Sequence, residues 1–329
     1  MKVRKCLKHS SEPNVPNGSP NSCTLRQQKS KQTDRHRIVL RPRSSKFVEI
    51  FRTTPINTVC PNFYVLSHAN GCGFVPHCTY CYLKSSFWHL NGQHVFNNRD
   101  KMLKEIRGWI RLDDLESYVL NAGNLSDSLS FEIYRPLIAD LVEVFRQEAK
   151  GRPHTLLLVT KGGLKEARVL LRLKPCDNIA VSFSVNNPVA AATHEAGAAT
   201  VEDRLEAARR LKKKGWRIRM RIDPIILGFD YGWITRQVKA LKPERVTLGT
   251  LRAEHNLGRF VKTPILRALE KCSDLKSLAR YPLKTRLKMY RDGIRILGTT
   301  CPVGLCEETY DVWHNVGLDI ESNPCNCGG

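Results

Sequence analysis

Val201-Glu202-Asp203-Arg204-Leu205-Glu206-Ala207-Ala208-Arg209-Arg210-Leu211-Lys212-Lys213-Lys214-Gly215-Trp216-Arg217-Ile218-Arg219-Met220-Arg221-Ile222-Asp223 holds one helix, one stop and one strand. Leu205, Ala208 and Leu211 recur on one face at the helical period. Lys212, Lys213 and Lys214 are polar, and Gly215 follows as a helix C-cap. The strand Arg217–Asp223 begins directly after it.

The same alternation extends in both directions. Candidate strands are 63–67, 118–121, 155–160, 179–185, 217–223 and 245–249, each bounded by Gly, Asn, Pro or charge. Candidate helices lie between them near 101–113, 134–149, 164–173, 201–214 and 231–241. Strict β-α alternation means an α/β fold with a parallel sheet and crossover helices. Six units curl into a partial barrel or spread as a doubly wound sheet. After residue 255 the pattern turns mostly helical, near 263–273 and 284–296, and ends in a Cys-bearing tail. The domain reading is an N-terminal arm over 1–46, a core over 47–255 and an extension over 256–329.

Composition sets the class. The chain has 329 residues, a net charge of +22 and 41% hydrophobic residues, enough to fill a core. No apolar run approaches about 18 residues, and no apolar stretch follows the N-terminal charges as in a signal peptide. These features predict a cytoplasmic protein without a membrane span. Residues 1–46 hold twelve Lys/Arg against Glu12 and Asp34, with no aromatic residue, and read as a disordered basic arm. The folded part is basic as well, which points to a polyanionic partner, most simply nucleic acid; solubility is the plainer reading. Eight of the thirteen residues 209–221 are basic. Lysines there complement a helix C-terminus, so this run reads as a solvated face.

Two of the cysteine groups carry chemistry. Gly71-Cys72-Gly73-Phe74-Val75-Pro76-His77-Cys78-Thr79-Tyr80-Cys81-Tyr82-Leu83 follows the first strand with spacing C-x5-C-x2-C. Chemistry in parallel β/α folds collects at strand carboxyl ends. Three thiolates on one loop suit zinc or an iron–sulfur cluster. With no clear fourth ligand beyond the awkwardly placed His77, they suggest a four-iron cluster with one iron left open; buried structural thiols are the bland alternative. The second group is Cys301, Cys306, Cys325 and Cys327, a candidate zinc site or auxiliary cluster, with two disulfides as the alternative. Cys60 could join either set.

These residues resemble the radical S-adenosylmethionine (SAM) superfamily, and within it the spore photoproduct lyase family. The likeness rests on the cysteine loop with Tyr80-Cys81-Tyr82-Leu83, on Leu158-Val159-Thr160-Lys161, on Phe183-Ser184-Val185-Asn186, on Glu195-Ala196-Gly197 and on Asp223-Pro224-Ile225. The resemblance implies a partial (β/α)6 barrel. It implies a [4Fe-4S] cluster on Cys72, Cys78 and Cys81, with SAM on the fourth iron. One-electron cleavage of SAM would give a 5′-deoxyadenosyl radical that abstracts hydrogen from a substrate. Ser126, Lys161, Ser184 and Asn186 would contact SAM, and Tyr82 matches a tyrosine of the radical relay. The implied partners are nucleic acid, DNA before RNA, and a one-electron reductant such as flavodoxin or ferredoxin.

Two departures stand out. The family loop is C-x3-C-x2-C, two residues shorter than here. Photoproduct lyases also place a hydrogen-donating cysteine just before a Ser-Asp pair, where this chain has Asn124 before Ser126-Asp127. A carboxamide does not donate hydrogen atoms readily, so one of Cys60, Cys301 or Cys306 is a candidate replacement. The expected function is a radical SAM enzyme acting on a nucleic-acid base. Its rivals are a radical SAM enzyme on another substrate, such as a peptide, a zinc-dependent nucleic-acid-binding module, and an iron–sulfur electron carrier.

Overall fold

The structure, a computed structural model, describes residues 37–329 except 53–54, 56, 61, 272–276, 322–324 and 329. Six parallel strands form its centre: Phe63–Leu66, Val119–Asn121, Thr155–Thr160, Ile179–Val185, Arg217–Ile225 and Arg245–Thr250. They are numbered one to six below. Each pairs in parallel with the next. Val303–Leu305 adds a parallel edge beside strand six, and Val48–Phe51 an antiparallel edge beside strand one. The resulting eight-stranded sheet runs edge to edge without closing.

Alternation along the strands explains the layering. Ile179, Val181, Phe183 and Val185 of strand four point outward into the main core with the helices, whereas Ala180 points inward. Strand five sends Ile218, Met220 and Ile222 to the same outer core. The inner face packs differently. Phe63 and Val65 of strand one, Val119 of strand two, Leu157 of strand three and Ala180 of strand four form one buried cluster with Cys325 and Cys327 of the C-terminal tail. Arg219 of strand five and Arg245 of strand six bond the carbonyls of the same tail. This tail packs into the inner cluster of strands one to four and is bonded from strands five and six, so the sheet curls around it as a partial barrel.

The expected strands and their crossover helices form. The helix Val201–Lys214 starts where Thr200 Oγ1 accepts the Asp203 N–H at 3.2 Å. It stops at Gly215, whose φ of +104° is left-handed. Trp216 then plugs the core, its Nε1 donating to the Leu170 carbonyl at 3.2 Å.

Three expectations need correction. The basic run is not one solvated face. Lys212, Lys213 and Lys214 are exposed, but Arg219 is 1% exposed on the inner side of strand five, paired with Glu244 at 3.1 Å. The arm does not reach residue 46: Ile38–Arg41 is a strand paired in parallel with Gln93–Phe96, while residues 1–36 lie outside the described residues. The mostly helical extension packs onto the core. Leu283–Leu297 is helical, Tyr290 OH accepts the Thr250 N–H at 2.9 Å, and Val303–Leu305 joins the sheet. The helix expected near 263–273 is a short 3-10 turn, Pro264–Ala268. No helix among the described residues is long and apolar enough to cross a membrane.

Candidate active site

The cysteine loop leaves the carboxyl end of strand one and is pinned at both ends. Gly71 has a φ of +109°, and a Cβ there would strike Gln93 Oε1. That oxygen accepts the Cys72 N–H at 2.8 Å, and Ser130 Oγ accepts the Gly73 N–H at 3.0 Å. Farther along, Thr79 N–H donates to the His194 carbonyl at 2.9 Å, and Tyr80 OH donates to Glu195. Both ring nitrogens of His77 are engaged, with the Phe74 carbonyl at 2.8 Å and Gln93 Nε2 at 3.2 Å. His77 is thus committed to the loop rather than turned toward the thiols.

Cys72, Cys78 and Cys81 are free thiols within electrostatic reach of one another. Burial pushes Cys78 up to about 12, even though Lys161 beside it pulls the other way. Burial raises Cys72 and Cys81 as well. Three such thiolates form readily only with a compensating metal. Among the described residues no three His, Cys, Asp or Glu side chains close on the position of a single ion. Three soft sulfur donors on one loop, with His77 engaged elsewhere, fit an iron–sulfur cluster with one iron left open.

Behind the loop lies a buried ion network. Glu195 Oε2 accepts from Arg204 Nη1 at 2.6 Å, and Glu195 Oε1 lies 3.6 Å from Lys161 Nζ. Burial alone would raise the Glu195 carboxyl, but Lys161 and Arg204 outweigh it and hold the group at about 2. Asn186 Nδ2 donates to Glu195 at 3.1 Å, while its Oδ1 accepts from Tyr231 OH at 2.6 Å. Both ends of that amide are in use. Ser184 Oγ donates to the Asp223 carbonyl over a long 3.4 Å. Lys161 reaches toward Cys78 and Cys81.

Asp127 fixes the segment after strand two. Its carboxylate accepts from Lys161 N–H at 2.8 Å, Thr160 Oγ1 at 2.9 Å, Leu129 N–H at 2.9 Å and Ser130 N–H at 3.1 Å. Ser126, buried beside it, donates to the Asp127 carbonyl at 3.1 Å. Tyr82 is 41% exposed, and its phenol donates to the Asn124 carbonyl. Ser126, Lys161, Ser184 and Asn186 therefore stand on the ends of strands two to four, beside the loop.

The second cysteine group divides. Cys301 and Cys306 flank Val303–Leu305 at opposite ends. Cys301 faces Lys212, Lys239 and Lys242, away from the other three. Five residues along a strand span about 16 Å, which separates them. Cys60 takes the vacated place beside Cys306, Cys325 and Cys327. No disulfide joins Cys301, Cys306, Cys325 and Cys327, so the disulfide alternative fails for them.

Comparison with known proteins now decides the family. The family model "Spore photoproduct lyase" matches residues 31–263. The chain belongs to the spore photoproduct lyase family. That family consists of radical SAM enzymes. The chain is 27% identical over 251 residues to a spore photoproduct lyase of Geobacillus sp. (strain Y412MC61), covering 75% of this chain and 69% of that one. To the Bacillus subtilis (strain 168) spore photoproduct lyase it is 26% identical over 242 residues, covering 70% and 66%. Among solved structures, a spore photoproduct lyase complexed with dinucleoside spore photoproduct matches with a TM-score of 0.65 at 17% identity, over 82% of this chain and 81% of that one. A double mutant with bound AdoMet and the same dinucleoside matches at 0.68 and 16%, over 90% and 88%. These likenesses establish the partial-barrel fold.

Sequence reading missed the ion network. One signal was available: Arg204 sits on the apolar stripe of its helix, at i, i+4 and i+7 with Ala208 and Leu211. A charge there demands a buried partner, and Glu195 is that partner.

Proposed function

We infer that this protein is a radical SAM enzyme acting on a nucleic-acid base, with Cys72, Cys78 and Cys81 holding a [4Fe-4S] cluster. The observation that carries this reading is the trio of thiols on one pinned loop, with Lys161 facing two of them. When bound, the cluster and SAM supply one-electron cleavage of SAM and a radical that removes hydrogen from the substrate.

The chain's own residues bind and orient. Lys161 offers a cation beside the loop, suited to the carboxylate of SAM. Ser184, held by a long bond to the Asp223 carbonyl, keeps acceptor capacity for the cofactor, and Ser126 is offered from the segment after strand two. Asn186 acts as a positioning residue, because its amide already joins Tyr231 to Glu195. Tyr82 stands at the exposed edge of the site and marks the substrate side.

The net charge of +22 favours a polyanionic substrate. Two structural neighbours hold dinucleoside spore photoproduct, which favours DNA and damaged pyrimidines. Asn124 stands where strict photoproduct lyases have their donor cysteine, so hydrogen return here follows another route or the product differs. A flavodoxin- or ferredoxin-type protein would deliver the electron.

The test is anaerobic. The protein is reconstituted with iron and sulfide, reduced with dithionite and given SAM with UV-irradiated DNA. The expected result is 5′-deoxyadenosine, increased by the irradiated DNA, and DNA binding that weakens steeply with salt. No 5′-deoxyadenosine from a cluster-loaded protein would overturn the enzyme reading. Turnover indifferent to nucleic acid would overturn the substrate.

A further inference from the structure

Four cysteines outside the loop meet on the inner side of the barrel. Cys60 precedes strand one, Cys306 follows Val303–Leu305, and Cys325 and Cys327 ride on the tail. Cys325 and Cys327 lie in one buried cluster and interact electrostatically, with Cys60 packed against it. Cys60 lies within electrostatic reach of Cys306, Cys325 and Cys327.

Nitrogen donors reach two of the sulfurs. Arg221 Nη2 lies 3.2 Å and Arg252 Nη2 3.1 Å from Cys306 Sγ, while both guanidinium groups also pair with Asp223 and Arg252 with Glu307. Asn121 Nδ2 donates to Cys327 Sγ at 3.6 Å. N–H···S bonds of this kind orient and tune metal-bound thiolates.

The tail itself is held in place. Arg219 Nη1 donates to the Asn326 carbonyl at 2.6 Å and the Gly328 carbonyl at 3.3 Å. Arg245 Nη1 donates to the Cys325 carbonyl at 3.0 Å and the Gly328 carbonyl at 2.9 Å. An apolar tail would fill the same space without burying two guanidinium groups. This one presents a Cys-x-Cys turn to two further thiols.

We propose that Cys60, Cys306, Cys325 and Cys327 form a second, thiophilic metal centre inside the barrel, separate from the cysteine loop, with Arg221 and Arg252 donating to the Cys306 sulfur. An iron–sulfur cluster and zinc share this ligand chemistry. Closure of the four ligands accompanies metal uptake, as in other sites where binding completes the fold.

The test removes the loop from consideration. A full-length variant with Cys72→Ser, Cys78→Ser and Cys81→Ser is reconstituted with iron and sulfide, or loaded with zinc, desalted, and assayed for metal and sulfide per chain. Any metal it keeps is independent of the radical SAM reading. Retention of two to four irons with sulfide, or of about one zinc, upholds the centre and names its occupant. Adding Cys325→Ser and Cys327→Ser should remove that metal. Alkylation mapping of the three-serine variant needs no further change to the fold. Cys60, Cys306, Cys325 and Cys327 should become reactive when a chelator is added, while Cys176 and Cys301 do not change. No retained metal, equal retention after the tail serines, or chelator-independent alkylation of all four thiols would overturn the proposal.

Discussion

The chain's two thiol groups are assembled in opposite ways. Cys72, Cys78 and Cys81 fall within ten residues of one loop. Cys60, Cys306, Cys325 and Cys327 come from three separate segments and meet only because the sheet curls. The loop is clamped by Glu195, Gln93, Ser130 and His194. The tail is clamped by arginines, Arg219 and Arg245. A site carried on one turn can form wherever that turn is held, whereas a site of distant thiols needs the whole barrel first.

The strongest challenge to this contrast is Cys78→Ala. It should abolish 5′-deoxyadenosine formation and the iron bound at the loop, while metal held by the tail thiols remains. Iron and sulfide per chain, with product measured by chromatography, check both halves. Product at the unsubstituted level would remove the loop from the chemistry and leave the two groups alike.

The same contrast explains what could be read in the sequence. The strands 155–160 and 179–185 stand out because their apolar residues are local and bounded by turn formers. The cysteine loop is legible because its ligands share one turn. Arg219 and Arg221 are not, because only pairing with Glu244, Asp223 and the tail distinguishes a buried arginine from a solvated one. Spacing groups Cys301 with Cys306, but the intervening strand, Val303-Gly304-Leu305, is too short to show a period and carries them to opposite ends. Ile38–Arg41 lies in a basic segment and gains its strand only from the partner Gln93–Phe96.

Next in size is the carboxylate clamp. Glu195→Ala leaves Arg204 buried without its partner and frees Tyr80 and Lys161. Removing one member of a buried pair costs about 3–5 kcal/mol. Urea unfolding should show that loss, and the cluster loop should reconstitute poorly. A loss below about 1 kcal/mol would mean that water screens the network and that the loop's clamp is no firmer than a surface pair.

The smallest effect concerns the entry to the loop. His68 is buried after strand one; its Nε2 faces the Ala122 carbonyl at 3.0 Å and its Nδ1 faces Arg135 Nη2 at 2.9 Å. A neutral ring that donates from Nε2 and accepts at Nδ1 satisfies both contacts. Burial, reinforced by Arg135, holds its pKa down to about 3, against an ordinary value of 6.5. Below pH 6.5 the unfolded chain takes up a proton that the folded ring refuses. This contribution is therefore complete above that pH and is lost progressively as the pH falls toward 3. Between pH 7 and pH 5 the loss is about 2 kcal/mol. Other buried histidines, His154 among them, shift in the same direction. The informative quantity is consequently the difference in unfolding free energy, from urea titrations, between the unsubstituted protein and His68→Gln at the two pH values. That difference should narrow by about 2 kcal/mol on acidification, because glutamine does not titrate. A constant difference would show that His68 is protonated in the folded protein, and then Arg135 could not face it as a donor.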